Sequence, residues 1–136
     1  MARVASELAA AQHDAEYFEM QRPSYVRDLD VLSRLHPGGR LLELGSYPFY
    51  FSRCLDLAGF EVLSVDLDPA RASEWIAAFG LNVVRCDIER EPLPLPDGSV
   101  TTVSLAATFE HLRIDPLFVL RQIARVLRVG GILYLT

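Results

Sequence analysis

Two short apolar runs, Leu41-Leu42-Glu43-Leu44 closing on Gly45 and Val62-Leu63-Ser64-Val65 closing on Asp66, constrain this chain more than any other feature. Each is long enough for a buried strand, and between them lie a helix-length segment and a break at Gly59. The pattern is a strand–helix–strand unit, and parallel strands of this kind place their carboxyl ends beside a ligand crevice. Asp66 follows Gly45 by 21 positions, close to the roughly 20-residue offset at which an acid reaches a nucleoside ribose in dinucleotide-binding folds. A carboxylate suits two vicinal hydroxyls because it accepts from both and repels phosphate. The two strand ends therefore point to a nucleoside-containing ligand. The plainer alternative is that Asp66 caps the turn opening the next helix.

The 136 residues fit one domain, and a 51% hydrophobic content is ample for a packed core. A net charge of −5 gives no electrostatic footprint for nucleic acid or an anionic membrane. Arg121, Arg125 and Arg128 sit at helical spacing and are expected to form a solvated face. Cys54 and Cys86 carry no metal-ligand spacing and read as buried reduced thiols, which predicts a cytoplasmic protein. Apolar runs are too short for a membrane span, and Glu7, Asp14 and Glu16 interrupt the first segment, so neither a span nor a signal peptide is expected.

An apolar stripe through Val4, Leu8, Ala11, Ala15 and Phe18 predicts a first helix from about Arg3 to Met20. A second is expected from Ser24 as N-cap through Val26, Leu29, Leu32 and Leu35, stopped by Pro37-Gly38-Gly39. From Arg40 onward strands and helices alternate. Strands are predicted at Arg40–Leu44, Glu61–Val65, Leu81–Arg85, Val100–Leu105 and Ile132–Leu135. Helices fill the gaps, with Asp68-Pro69 and Asp115-Pro116 as N-cap and first helical position. Trp75, Ile76 and Phe79 face inward on one helix; Leu117, Leu120, Ile123, Ala124 and Leu127 do so on the last. Glu91–Gly98, with three prolines, is a loop. The predicted class is α/β: a doubly wound, mostly parallel sheet (residues 40–136) with an N-terminal helical pair (residues 1–39), in one compact domain.

With these motifs in order, the chain resembles the class I S-adenosylmethionine-dependent methyltransferases from about Arg40 to Thr136. Four signatures carry the resemblance: Leu41–Gly45, Val62–Asp66, the proline-rich Cys86–Gly98 ending in Pro-Asp-Gly, and Arg125–Thr136 with its Gly130-Gly131. Glu110-His111-Leu112 falls between the last two. The resemblance implies S-adenosyl-L-methionine as cofactor and a Rossmann-like sheet with strand one flanked by strands two and four. It implies that Glu43 and Gly45 face the methionine part, that Ser46 also binds the cofactor and that Asp66 holds the ribose. Leu67 then lies against the adenine, Asp87 and the Ile88 amide read its edge, and Ala106 sits near the sulfonium. His111 is a candidate general base, with packing or hydrogen bonding as the alternative. Asp87 has a plain turn role as its alternative. For Glu43, an acid within an apolar strand, either a polar ligand or a polar network is required.

The sequence departs from the family at Ser46-Tyr47-Pro48-Phe49-Tyr50, where a glycine-rich turn is usual. The loop is expected to be shaped differently, with Tyr47 and Tyr50 lining the pocket. No metal constellation is visible. The expected reaction is methyl transfer to a small-molecule or glycan/lipid-precursor acceptor. Its rival is a degenerate, non-catalytic domain serving as a binding or assembly module. A dehydrogenase is disfavoured because the three-glycine phosphate turn is missing. Family members usually continue past strand five, so Ile132–Leu135 is expected as an unprotected apolar edge, in a fragment or in a chain that pairs with a second copy across a two-fold axis.

Overall fold

Alternating buried strands and amphipathic helices build a five-stranded sheet in the computed structural model, which describes residues 1–136. The strands are β1 (Arg40–Leu44), β2 (Glu61–Asp66), β3 (Val83–Arg85), β4 (Val100–Leu105) and β5 (Leu127–Leu135). Their order is β3-β2-β1-β4-β5, and every pair is parallel. The helices are α1 (Ala2–Ala10), α2 (Ala15–Leu35), α3 (Tyr50–Leu57), α4 (Ser73–Phe79) and α5 (Pro116–Val126). The predicted doubly wound class and the central position of β1 are found.

A period of two sorts each strand between two cores. Leu41 joins α1–α4 on one face, packed with Phe18, Leu32, Phe51, Leu55 and Trp75. Leu42 and Leu44 face α5, with Leu63, Val65, Val103, Leu105, Val119 and Ile123. Both faces are covered, as a parallel sheet requires. Across the first face runs a polar row in register: Ser64 beside Glu43, Glu43 beside Ser104, Ser104 beside Tyr134. Tyr134 donates its hydroxyl to the buried Asp28 of α2 at 2.9 Å.

The N-terminal helices divide elsewhere than predicted. The break falls at Ala11–Asp14, where Gln12 adopts φ +58° and the Asp14 side chain accepts from the Tyr17 amide at 2.9 Å. A side-chain cap of this kind satisfies an amide that helix geometry leaves unpaired. From there α2 runs unbroken through Ser24, which is interior and not a cap, and accommodates Pro23. Asp68 makes no side-chain cap; it precedes a 3-10 turn at Pro69–Ala72 that leads into α4. Asp115 caps α5 as predicted, accepting from the Phe118 amide at 3.0 Å.

Two further expectations are corrected. The buried face of α5 is Val119, Ile123 and Val126, an i, i+4, i+7 set, which leaves Leu117 and Ala124 outside. β5 begins at Leu127, and Gly130-Gly131 lie within it, where a register shift opposite Val100–Thr102 absorbs the bend. It is an edge strand, with Val129, Leu133 and Leu135 exposed. Cys54 and Cys86 are free and buried, and burial pushes the Cys54 thiol up to about 12. No helix is long and apolar enough to cross a membrane.

Candidate functional site

The chain leaves β1 toward β2 on one side and reaches β4 on the other, so the carboxyl end of β1 is the point where strand order reverses. Open α/β sheets hold ligands there. Two adjoining clefts occupy this edge. The first, about 240 Å³, is lined by Asp66, Leu67, Asp87, Ile88, Thr108 and His111, among others. The second, about 220 Å³, is lined by Glu43, Ser46, Tyr47 and Ala106 and walled by α2 residues including Tyr25 and Asp28. Gly45 borders both. The eight residues singled out from the sequence as cofactor ligands thus all line these two clefts.

Asp66 ends β2 almost fully buried. One carboxylate oxygen accepts from the Tyr47 amide and the other from the Asp68 amide, each at 3.0 Å. The second bond gives Asp66 the turn-capping role as well. A carboxylate has about four acceptor sites, so two remain. Arg71 lies 3.5 Å away and stacks on the Tyr47 ring, its guanidinium carbon 3.9 Å from the centroid. Asp87 similarly accepts from the Glu89 amide at 3.2 Å and pairs with Arg90 at 3.1 Å. Leu67 is 56% exposed over the same cleft.

Glu43 is buried under the second cleft, and the polar network is the alternative realised. Ser52 of α3 and Ser64 of β2 both donate to its Oε2, the latter at 2.9 Å. Glu43 also lines the second cleft. Desolvation raises its carboxyl to about 7, opposed by the serine hydrogen bonds. Ser46 turns its hydroxyl inward to the Glu43 carbonyl at 3.1 Å. Burial likewise drives the Tyr25 hydroxyl, on the opposite wall, well above its ordinary range.

Gly45 adopts φ +71°, and a Cβ there would stand 2.5 Å from Thr108 Cγ2 and Oγ1. Its lack of a side chain is therefore demanded by the segment after β4. Ala106 opens that segment and Ala107 has φ +49°. His111, whose side chain is 73% exposed, sits with Asp87 in the first cleft, across Gly45 from Ala106.

Of the two loop tyrosines, Tyr47 lines the second cleft, but Tyr50 turns into the core against Trp75 at 5.4 Å. The sequence expectations do not include the cleft wall from α2. Tyr17, Gln21, Ser24, Tyr25 and Asp28 follow a helical period, a signal that a break assigned near Pro23 conceals. Arg125 is not part of a solvated face. It donates to the Leu93 and Leu95 carbonyls at 2.8 and 2.7 Å and pins the proline-rich loop.

The methyltransferase-domain family model matches residues 42–135. An uncharacterized methyltransferase of Mycobacterium tuberculosis is 32% identical over 116 residues, covering 84% of this chain and 46% of the relative. The chain spans about half the length of the curated relatives it matches. A solved structure from Methanococcus maripaludis, provisionally assigned as an S-adenosyl-L-methionine-dependent methyltransferase, is 20% identical with a TM-score of 0.74, over 88% of this chain and 60% of that one. The [4+2]-cyclase SpnF is 22% identical with a TM-score of 0.70, over 85% and 45%. These structural likenesses carry the fold, and the family match, which covers well over half of the chain, carries its membership. This chain belongs to the methyltransferase-domain family, among the class I S-adenosylmethionine-dependent methyltransferases.

Proposed function

We propose that this domain binds S-adenosyl-L-methionine across the two clefts and directs methyl transfer to a small-molecule or glycan/lipid-precursor acceptor. One observation carries the proposal: a nucleoside-sized cleft with a buried carboxylate and a second, mixed polar and aromatic cleft meet at a glycine on the strand-reversal edge. The donor set fits the cofactor. Asp66 keeps two acceptor sites for the ribose diol, Leu67 offers apolar cover for the adenine, and Asp87 with the Ile88 amide stands at its edge. Glu43 lines the second cleft, where its carboxyl suits the methionine ammonium.

Bound there, the cofactor supplies an electrophilic methyl on a sulfonium. The protein's part is to orient the acceptor in line with that methyl and to exclude water. Ala106 and Ala107 leave room for an approaching nucleophile, and Tyr17, Tyr25 and Tyr47 form the facing wall. His111 lies on the nucleoside side, so packing or hydrogen bonding suits it better than a base role. The net charge of −5 favours a small acceptor over nucleic acid or an anionic membrane, and two buried free thiols favour the cytoplasm. The exposed β5 edge suits pairing with a second copy, for which light scattering expects a dimer; a monomer would contradict it.

The second reading, a non-catalytic binding or assembly module, draws on Asp66, whose two oxygens already hold one amide each. Calorimetric titration with S-adenosylhomocysteine separates the two. Saturable binding at micromolar ligand supports the cofactor site; no heat at millimolar ligand supports the module.

A further inference from the structure

A ligand that occupies both clefts must cross Gly45, the residue they share. Thr108 occupies that crossing. Its side chain fills the space a Gly45 Cβ would take, with Cγ2 and Oγ1 both 2.5 Å from that position. Its hydroxyl is tied to the Ala106 carbonyl at 3.1 Å and lies 3.4 Å from the Leu44 carbonyl, so it bridges β4 and β1 at the waist of the site. The backbone around it is held at both ends. The Ala107 amide donates to the Thr136 carbonyl at 2.9 Å, and the His111 amide donates to the Thr108 carbonyl at 3.0 Å. Ala107 holds a left-handed φ of +49°, uncommon for a residue with a Cβ, so the turn presenting Thr108 is strained and over-determined by its anchors.

We infer that Thr108 is the specificity-determining residue at the waist of the site, setting by its size whether a ligand can extend from the nucleoside cleft into the second cleft. The inference rests on the cofactor site proposed above and adds to it a division of labour. Asp66, Leu67, Asp87 and Ile88 recognise a nucleoside on their own; Thr108 controls what the nucleoside carries at its 5′ side. Gly45 and the Leu44 carbonyl stand opposite Thr108, so a longer side chain that keeps its direction closes the waist. Packed interiors respond to changes of a single methylene.

The test compares two probes on the 136-residue chain: adenosine, which the first cleft holds alone, and S-adenosylhomocysteine, which needs both. The readout is the ratio of the adenosine Kd to the S-adenosylhomocysteine Kd, measured by titration followed by NMR. In Thr108→Leu this ratio falls at least tenfold, with adenosine affinity kept within about threefold, and adenosine binding is its own control for folding. In Thr108→Ala the ratio rises. In Thr108→Val, which keeps the shape and loses the hydroxyl, it stays within about twofold of the parent. A Leu variant that loses both ligands in parallel, or neither, overturns the inference. So does an Ala variant with an unchanged or lower ratio, which carries the test if the Leu variant does not fold. If the parent chain binds neither probe, the cofactor site itself is wrong, and that failure is separate because it precedes any substitution.

Discussion

The backbone amide of Tyr47 donates to the Asp66 carboxylate at 3.0 Å, fastening the loop after β1 to the end of β2. The Arg71 guanidinium completes the clamp, 3.9 Å above the Tyr47 ring and 3.5 Å from Asp66. Here the sequence departs from the glycine-rich turn usual in the family, and the structure replaces glycine flexibility with a carboxylate, an aromatic ring and an arginine. Asp66 is therefore a structural tie as well as the acid proposed for the ribose.

Its substitution carries both consequences. Asp66→Ala is expected to lose charge-assisted hydrogen bonds to the ribose, each about 1.5–3 kcal/mol of S-adenosylhomocysteine affinity. It also frees the Tyr47 and Asp68 amides, so its melting temperature falls. Asp66→Asn keeps one carbonyl acceptor and is intermediate on both counts. Titration and scanning calorimetry check this; an Ala variant that binds like the parent removes the ribose assignment.

Glu43 makes stability depend on pH. Its carboxyl is raised by burial to about 7 from an ordinary 4.5, so the folded state keeps a proton that the unfolded chain releases. The stabilisation is fully present below about pH 4.5 and is lost as pH rises to about 7. The full span amounts to on the order of 3 kcal/mol. Glu43→Gln, neutral at every pH and still able to accept from Ser52 and Ser64, is expected to remove this slope. Urea unfolding of both proteins at pH 4 and pH 8 should show the variant gaining on the parent at the higher pH. An equal difference at both pH values would contradict a buried carboxyl that titrates.

Gly45→Ala combines two costs. A left-handed φ of +71° penalises any Cβ by about 1–2 kcal/mol, and the collision with Thr108 adds to it. In the double variant Gly45→Ala/Thr108→Ala the conformational part remains, with only a milder contact against the residue 108 Cβ at 3.0 Å. The unfolding free energies are then non-additive, with a coupling of about 1 kcal/mol or more between the two sites. Additive losses would mean that Thr108 yields freely.

Arg125 and Arg121 separate a loop anchor from a solvated arginine. Arg125→Ala removes a charged donor from the Leu93 and Leu95 carbonyls, the former keeping only the Leu95 amide, and is expected to destabilise by about 1.5–3 kcal/mol. Arg121→Ala, on the exposed face, should stay within about 0.5 kcal/mol. Denaturant midpoints at constant slope decide between these values.

Much of this architecture is legible in the residues, because it rests on local rules. Leu41–Leu44 and Val62–Val65 are apolar enough to demand burial, and Asp115-Pro116 specifies a helix start whatever follows. What escapes the sequence depends on neighbours far along the chain. Ser24 has the chemistry of a cap, yet Asp14 starts the helix earlier and packing carries it past Pro23. Arg125 looks like a surface cation until the loop at Leu93–Leu95 folds over it. Thr108 has no motif at all; it matters because β4 brings it over Gly45, 63 positions earlier. Glu43 is legible as a residue needing a partner, though Ser52 and Ser64 become that partner only once α3 and β2 flank β1.

Amide shift mapping of the uniformly labelled chain during titration with S-adenosylhomocysteine tests the central claim most directly. The account predicts saturable shifts at Gly45, Leu67, Ile88 and Ala106, which ring the two clefts at the carboxyl edge of the sheet. Gly39, Gly59 and Gly80, which lie outside both clefts, should stay fixed. Shifts confined to residues outside the clefts, or none at millimolar ligand, would contradict it.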